Sequence, residues 1–198
     1  MKTALRLGAL TLGAALLPTA AFAHTGIGSA GGFGAGFMHP LGGFDHILAM
    51  VAVGVLAARL GGRAVWMVPA AFLAMMAVGG VLGMAHIQVP FVEAGIAASV
   101  IVLGLAVAFR WTLSAAAASA LAGLFAVFHG HAHGDEMLAG TTGVTYALGF
   151  LLATAGLHAA GIGLGYGVGR ISARKQLALQ AGGGAMALAG VALLSGYL

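Results

Sequence analysis

The chain has no cysteine, only four carboxylates and a charged fraction of 6% over its 198 residues. Each shortage removes a class of function. Without cysteine there are no disulfides, no thiolate metal traps and no cysteine redox chemistry. With so few charges the chain lacks the ionic surface of an ordinary soluble domain. Its 61% hydrophobic content and mean hydropathy of +1.08 indicate an integral membrane protein instead. The net charge of +4 rests on eight Lys and Arg that form no dense basic patch, so nucleic acid is not an expected partner. No glycine run follows a strand pattern and leads into Lys with Ser or Thr, which argues against a phosphate loop and an ATP-driven pump.

The N-terminus has the three parts of a secretory signal: Lys2 and Arg6, an apolar run over 7–17, and the small-x-small site Ala21-Phe22-Ala23. Cleavage after Ala23 would leave a transmembrane domain over 24–198, beginning at His24. Six apolar spans of bilayer-crossing length follow, at 41–60, 65–84, 92–109, 113–128 (extending into the His cluster), 144–168 and 177–197. The cations of this domain fall in alternate connections: Arg59 and Arg63, then Arg110, then Arg170, Arg174 and Lys175. The positive-inside rule makes that side cytoplasmic and the mature N-terminus non-cytoplasmic. The expected fold is an all-α bundle of six transmembrane helices in a bacterial inner membrane. Gly79-x-x-x-Gly83 and Gly161-x-x-x-Gly165-x-x-x-Gly169 would let its helices approach closely.

Against this apolar background two polar clusters stand out, His39-Pro-Leu-Gly-Gly-Phe-Asp45-His46 and Phe128-His129-Gly-His131-Ala-His133-Gly-Asp135-Glu136. They hold five of the eight histidines and three of the four carboxylates. Ionisable groups beside apolar spans are costly, so the default reading is functional. Imidazole with carboxylate is a ligand set for a divalent transition metal such as nickel, cobalt or zinc. On a helix His129, His133 and Glu136 share one face, while His131 and Asp135 share the opposite one. In a straight helix His39 and His46 would lie about 10 Å apart, too far for one ion. Pro40, Gly42 and Gly43 offer the alternative of an irregular start that folds His39 towards Asp45 and His46, so either the backbone breaks or the two histidines serve successive sites. Further metal-path candidates are Glu93, His24, His131, Asp135 and His158. His86 reads as solvated, Phe128 as packing, and Met50 as gap-filling in preference to a sulfur ligand.

The two motifs together, His-x5-Asp-His at 39–46 and Phe-His-Gly-x-Ala-His-Gly-x-Glu at 128–136, resemble those of the HupE/UreJ family of nickel permeases, which accompany hydrogenase or urease systems. The resemblance covers the whole mature chain and implies that His39, Asp45, His46, His129, His133 and Glu136 are transport residues. It also implies Ni²⁺ as cargo with no prosthetic group, no enzymatic activity, and a cytoplasmic nickel-enzyme maturation system as partner. Cobalt or zinc remains open on ligand chemistry alone. So does an intramembrane metalloenzyme, although His-Glu-x-x-His and Gly-x-Ser-x-Gly are both absent.

Overall fold

A computed structural model describes residues 32–136, 143–169 and 173–196. Among these residues every regular element is a helix. α1 (Phe33–Met38) runs into a 3-10 turn (His39–Leu41), and the chain breaks at Gly42 and Gly43 before α2 (Phe44–Leu60). α3 (Ala64–Met84), α4 (Val92–Ala108), α5 (Ala115–Asp135), α6 (Gly143–Gly169) and α7 (Ala173–Leu194) follow. Local chemistry sets several of the limits. Gly61, at φ 69° and ψ −169°, takes a positive-φ conformation that favours glycine, and it closes α2. Ser114 caps α5 by accepting a hydrogen bond from the Ala117 amide at 3.1 Å.

Four of these helices, α3, α5, α6 and α7, are long and apolar enough to cross a bilayer. α1 and α2 make a fifth if the pair, bent by 82°, counts as one span. α4 is a shorter apolar helix of 17 residues. Of the two starts open to the first apolar stretch, the structure has the irregular one, broken around the two glycines. The fourth span extends into the His cluster, as expected, and carries it as unbroken helix to Asp135. The signal peptide expected over 1–23 lies outside the described residues. Large apolar side chains such as Trp66, Val81, Leu124 and Leu188 are more than half exposed on the outside of the bundle. A surface of that kind is stable only against lipid or another apolar partner. With its several apolar helices, the chain is a multi-pass membrane protein.

Glycine sets which helices touch. A Cβ on Gly79 or Gly83 of α3 would land on the Val127 or His131 carbonyl of α5, and one on Gly130 or Gly134 of α5 would land on the Met76 or Gly80 carbonyl of α3. The α3–α5 pair is therefore a backbone-to-backbone contact. Gly54 and Gly161 bring α2 and α6 together in the same way, and Gly104 and Gly183 bring α4 and α7 together. Because Gly130 and Gly134 press on α3, the neighbouring face of α5, about 100° round the helix and carrying His129 and His133, is left for the bundle centre.

The polar groups sort to two ends. Asp45 and Glu93 open α2 and α4, and Asp135 and Glu136 close α5, all at one end. Arg59, Arg63 and Arg110 lie at the other. There Arg59 donates from Nη1 to the carbonyls of Ala106 at 3.0 Å and Val107 at 3.2 Å, and Arg110 donates to Gln176 Oε1 at 3.3 Å.

Candidate metal centre

The break before α2 turns His39 away from its own helix and onto α5. His39 Nε2 lies 2.9 Å from His133 Nδ1 and 3.6 Å from Glu136 Oε2, and His133 Nδ1 lies 4.0 Å from the same carboxylate oxygen. A point equidistant from three atoms with these separations is about 2.1 Å from each, the bond length of a divalent transition ion to imidazole nitrogen or carboxylate oxygen. All three side chains retain some exposure, so the triangle is open to ions arriving from that end. The 2.9 Å contact places one proton between the two imidazoles. For a metal to take both facing nitrogens as lone pairs, the donor ring must carry its proton on its far nitrogen.

His46 lies immediately beyond this triangle. Its ring centroid is 5.2 Å from that of His133 and 5.3 Å from that of His129. Both His46 and His129 are essentially fully buried. The orientation of His129 follows from hydrogen-bond accounting. Ser99 Oγ donates to the Ile96 carbonyl at 2.6 Å, so its 2.8 Å contact with His129 must be donated by His129 Nε2. That fixes the proton on Nε2 and leaves the Nδ1 lone pair bare; Nδ1 has no hydrogen-bond partner. His46 Nε2 meets Thr154 Oγ1 at 3.2 Å, and its Nδ1 is likewise unpartnered. His158 is deeper still, buried with both ring nitrogens unpartnered, its ring edge-on to Phe72 at 5.2 Å. Phe72 is also 5.9 Å from His129. The imidazoles thus form a file from the open end into the bundle: His39, His133, His46, His129 and, past Phe72, His158.

The remaining sequence candidates fall elsewhere. His131 donates from Nε2 to the Ile87 carbonyl at 2.9 Å, and Asp135 pairs with exposed His86 at 3.2 Å, so both stitch α5 to the connection before α4. Asp45, half-buried in the first turn of α2, is outside the His39–His133–Glu136 group among the described residues. Glu93 is exposed in the first turn of α4. Met50 is fully buried in the core. Phe128 lies where a Cβ on Gly95 would strike its ring, a packing contact between α5 and α4. His24 lies outside the described residues.

Three participants were not singled out by the sequence. Ser99 is the one hydroxyl of α4, Thr154 is one of several in α6, and Phe150 packs on His39, His46 and His133 with centroids 6.2, 5.2 and 4.7 Å away. Ser99 and Thr154 were detectable only as polar interruptions of apolar runs.

The profile of one protein family, described as HupE / UreJ protein, matches residues 12–193. The chain belongs to the HupE/UreJ family. It is also similar to Protein HupE of Rhizobium leguminosarum bv. viciae, at 50% identity over 186 residues, covering 94% of this chain and 96% of that protein. No solved structure matches it. Within this HupE/UreJ chain, the profile match runs across both polar clusters and every helix of the bundle.

Proposed function

We propose that this protein is a permease that carries a divalent transition metal, nickel by preference, inward across the bacterial inner membrane. The observation that carries the reading is the triangle of His39, His133 and Glu136, whose ligand atoms lie at separations that suit one such ion. Membership of the HupE/UreJ family supports nickel over cobalt or zinc, and a cytoplasmic nickel-enzyme maturation system as recipient. In this reading α4 and the bent α1–α2 pair also span, giving six spans, and residues 1–23 are removed as a signal peptide. The histidine end faces outward and the cation end faces the cytoplasm, following the positive-inside rule.

Transport follows from incomplete coordination. Three ligands at the mouth replace part of an ion's water shell without closing around it, so the ion is captured but not trapped. His133 belongs to the triangle and also touches His46, and His46 touches His129, so each ligand can be exchanged for the next without full dehydration. The bare Nδ1 lone pair of His129 and the unpartnered Nδ1 of His46 suit that hand-over. A membrane potential supplies about 2.3 kcal/mol per charge per 100 mV, near 4.6 kcal/mol for a divalent ion, sufficient to drive inward movement without ATP.

The test is metal binding by purified full-length protein. Exchangeable nickel binding that is weakened by Glu136→Gln supports a permease. Nickel that survives prolonged dialysis against chelator, or binding indifferent to Glu136→Gln, would contradict it.

A further inference from the structure

The cation end holds a cavity of about 610 Å³ whose lining includes Arg59, Arg110, Trp111, Tyr166, Gln176 and Gln180. Its charge is unbalanced. The whole sequence contains four side-chain carboxylates, Asp45, Glu93, Asp135 and Glu136, and all of them sit at the opposite end of the bundle. Arg59 and Arg110 are within electrostatic reach of one another, two like charges with no acid between them. Carbonyls at the end of α4 accept hydrogen bonds from Arg59 Nη1, but a helix terminus supplies only about half a charge against two guanidiniums. The chain itself offers these guanidiniums no carboxylate, which leaves the cavity suited to an anion from outside.

We propose that this cavity binds the phosphate of an anionic phospholipid headgroup between Arg59 and Arg110. A guanidinium has five N–H donors in a planar fork that matches phosphate, and Arg59 engages only Nη1 with the helix end. Trp111 and Tyr166 on the lining are each about one-third exposed, as aromatic side chains are at headgroup depth. Leu60 and Leu179, both partly exposed in the same cavity, give an acyl chain an apolar wall. That wall favours a lipid over a free phosphate ion. A lipid held here would join the cation ends of α2, α4, α6 and α7. The inference is independent of the metal reading, because it concerns the opposite end and no metal ligand.

The test uses full-length protein in nanodiscs of phosphatidylcholine with or without phosphatidylglycerol, read by native mass spectrometry of retained lipid and by thermal unfolding. Wild type should retain phosphatidylglycerol over phosphatidylcholine by about fivefold for each guanidinium engaged, and unfold at a higher temperature when it is present. Arg110→Gln should lose most of that preference, and Arg110→Lys part of it. Arg63→Gln, an exposed cation at the same end outside the cavity, should keep the preference. Equal retention of both lipids by wild type would overturn the proposal. So would equal loss in Arg63→Gln and Arg110→Gln, which would mark general surface charge. Inorganic phosphate that stabilises as much as phosphatidylglycerol, in phosphatidylcholine discs, would assign the site to the free ion and also overturn it.

Discussion

His39 Nε2 stands 2.9 Å from His133 Nδ1 although 94 residues separate the two in sequence. Neither side chain reaches the other by local geometry. The contact exists because the chain bends by 82° before α2 and because α1 packs on α6, with Gly36 against the Tyr146 backbone and Gly149 against the Phe33 backbone. Glu136 then closes a triangle whose atoms come from two separate motifs. Among the described residues, neither polar cluster alone brings three such atoms to one point.

Two histidines on α5, two residues apart, should behave oppositely. His133 faces the triangle, whereas His131 donates to the Ile87 carbonyl. His131→Gln keeps an N–H donor and should leave nickel uptake within about twofold of wild type, while His133→Gln should lower it by tenfold or more, in line with the loss expected on removing a metal-orienting group. Radioactive nickel uptake into cells expressing each variant at matched levels checks this. Equal uptake by the two variants would contradict the assignment of faces.

Ser99 should act through His129. Its hydroxyl both donates to the Ile96 carbonyl and receives the His129 Nε2 proton. Ser99→Ala removes the acceptor, frees the tautomer and leaves the buried N–H unpaired, at a cost of about 1–3 kcal/mol. Uptake should slow while equilibrium nickel binding at the His39–His133–Glu136 triangle stays near wild type. A loss of binding as large as the loss of uptake would place Ser99 at the mouth and not inside.

Glycine contacts give a stability test with an internal control. Gly130→Ala puts a methyl group onto the Met76 carbonyl of the facing helix, and a clash of this kind costs on the order of 1–3 kcal/mol. Gly156→Ala has open space within 4 Å and should be neutral or mildly stabilising, since alanine favours the helix. Thermal unfolding of the two variants in detergent should therefore differ in sign or clearly in size. Matching melting temperatures would mean that the α3–α5 contact is looser than described.

Much of this arrangement was legible before any coordinates, and the exceptions have physical causes. The helices begin and end close to the expected apolar runs, because burial in lipid leaves little choice of where a span sits. Separation of His129, His133 and Glu136 from His131 and Asp135 followed from helical periodicity alone, since α5 stays regular through Gly130 and Gly134. The partner of His39 was not legible. Pro40, Gly42 and Gly43 announce a break, but its direction is decided by packing of α1 on a helix more than 100 residues later. For the same reason the break carried His39 to His133 and Glu136 and not towards Asp45. Ser99, Thr154 and Phe150 escaped because their role consists of contacts to distant histidines, and neither a hydroxyl nor a phenyl ring in an apolar helix specifies a partner.

Metal passage along the buried imidazole file is checked by nickel uptake into cells expressing wild type, His46→Ala or His133→Ala at equal membrane levels. Wild-type uptake should rise with membrane potential, and both variants should lose it by about tenfold or more. Equal nickel uptake by all three proteins would contradict passage along the file.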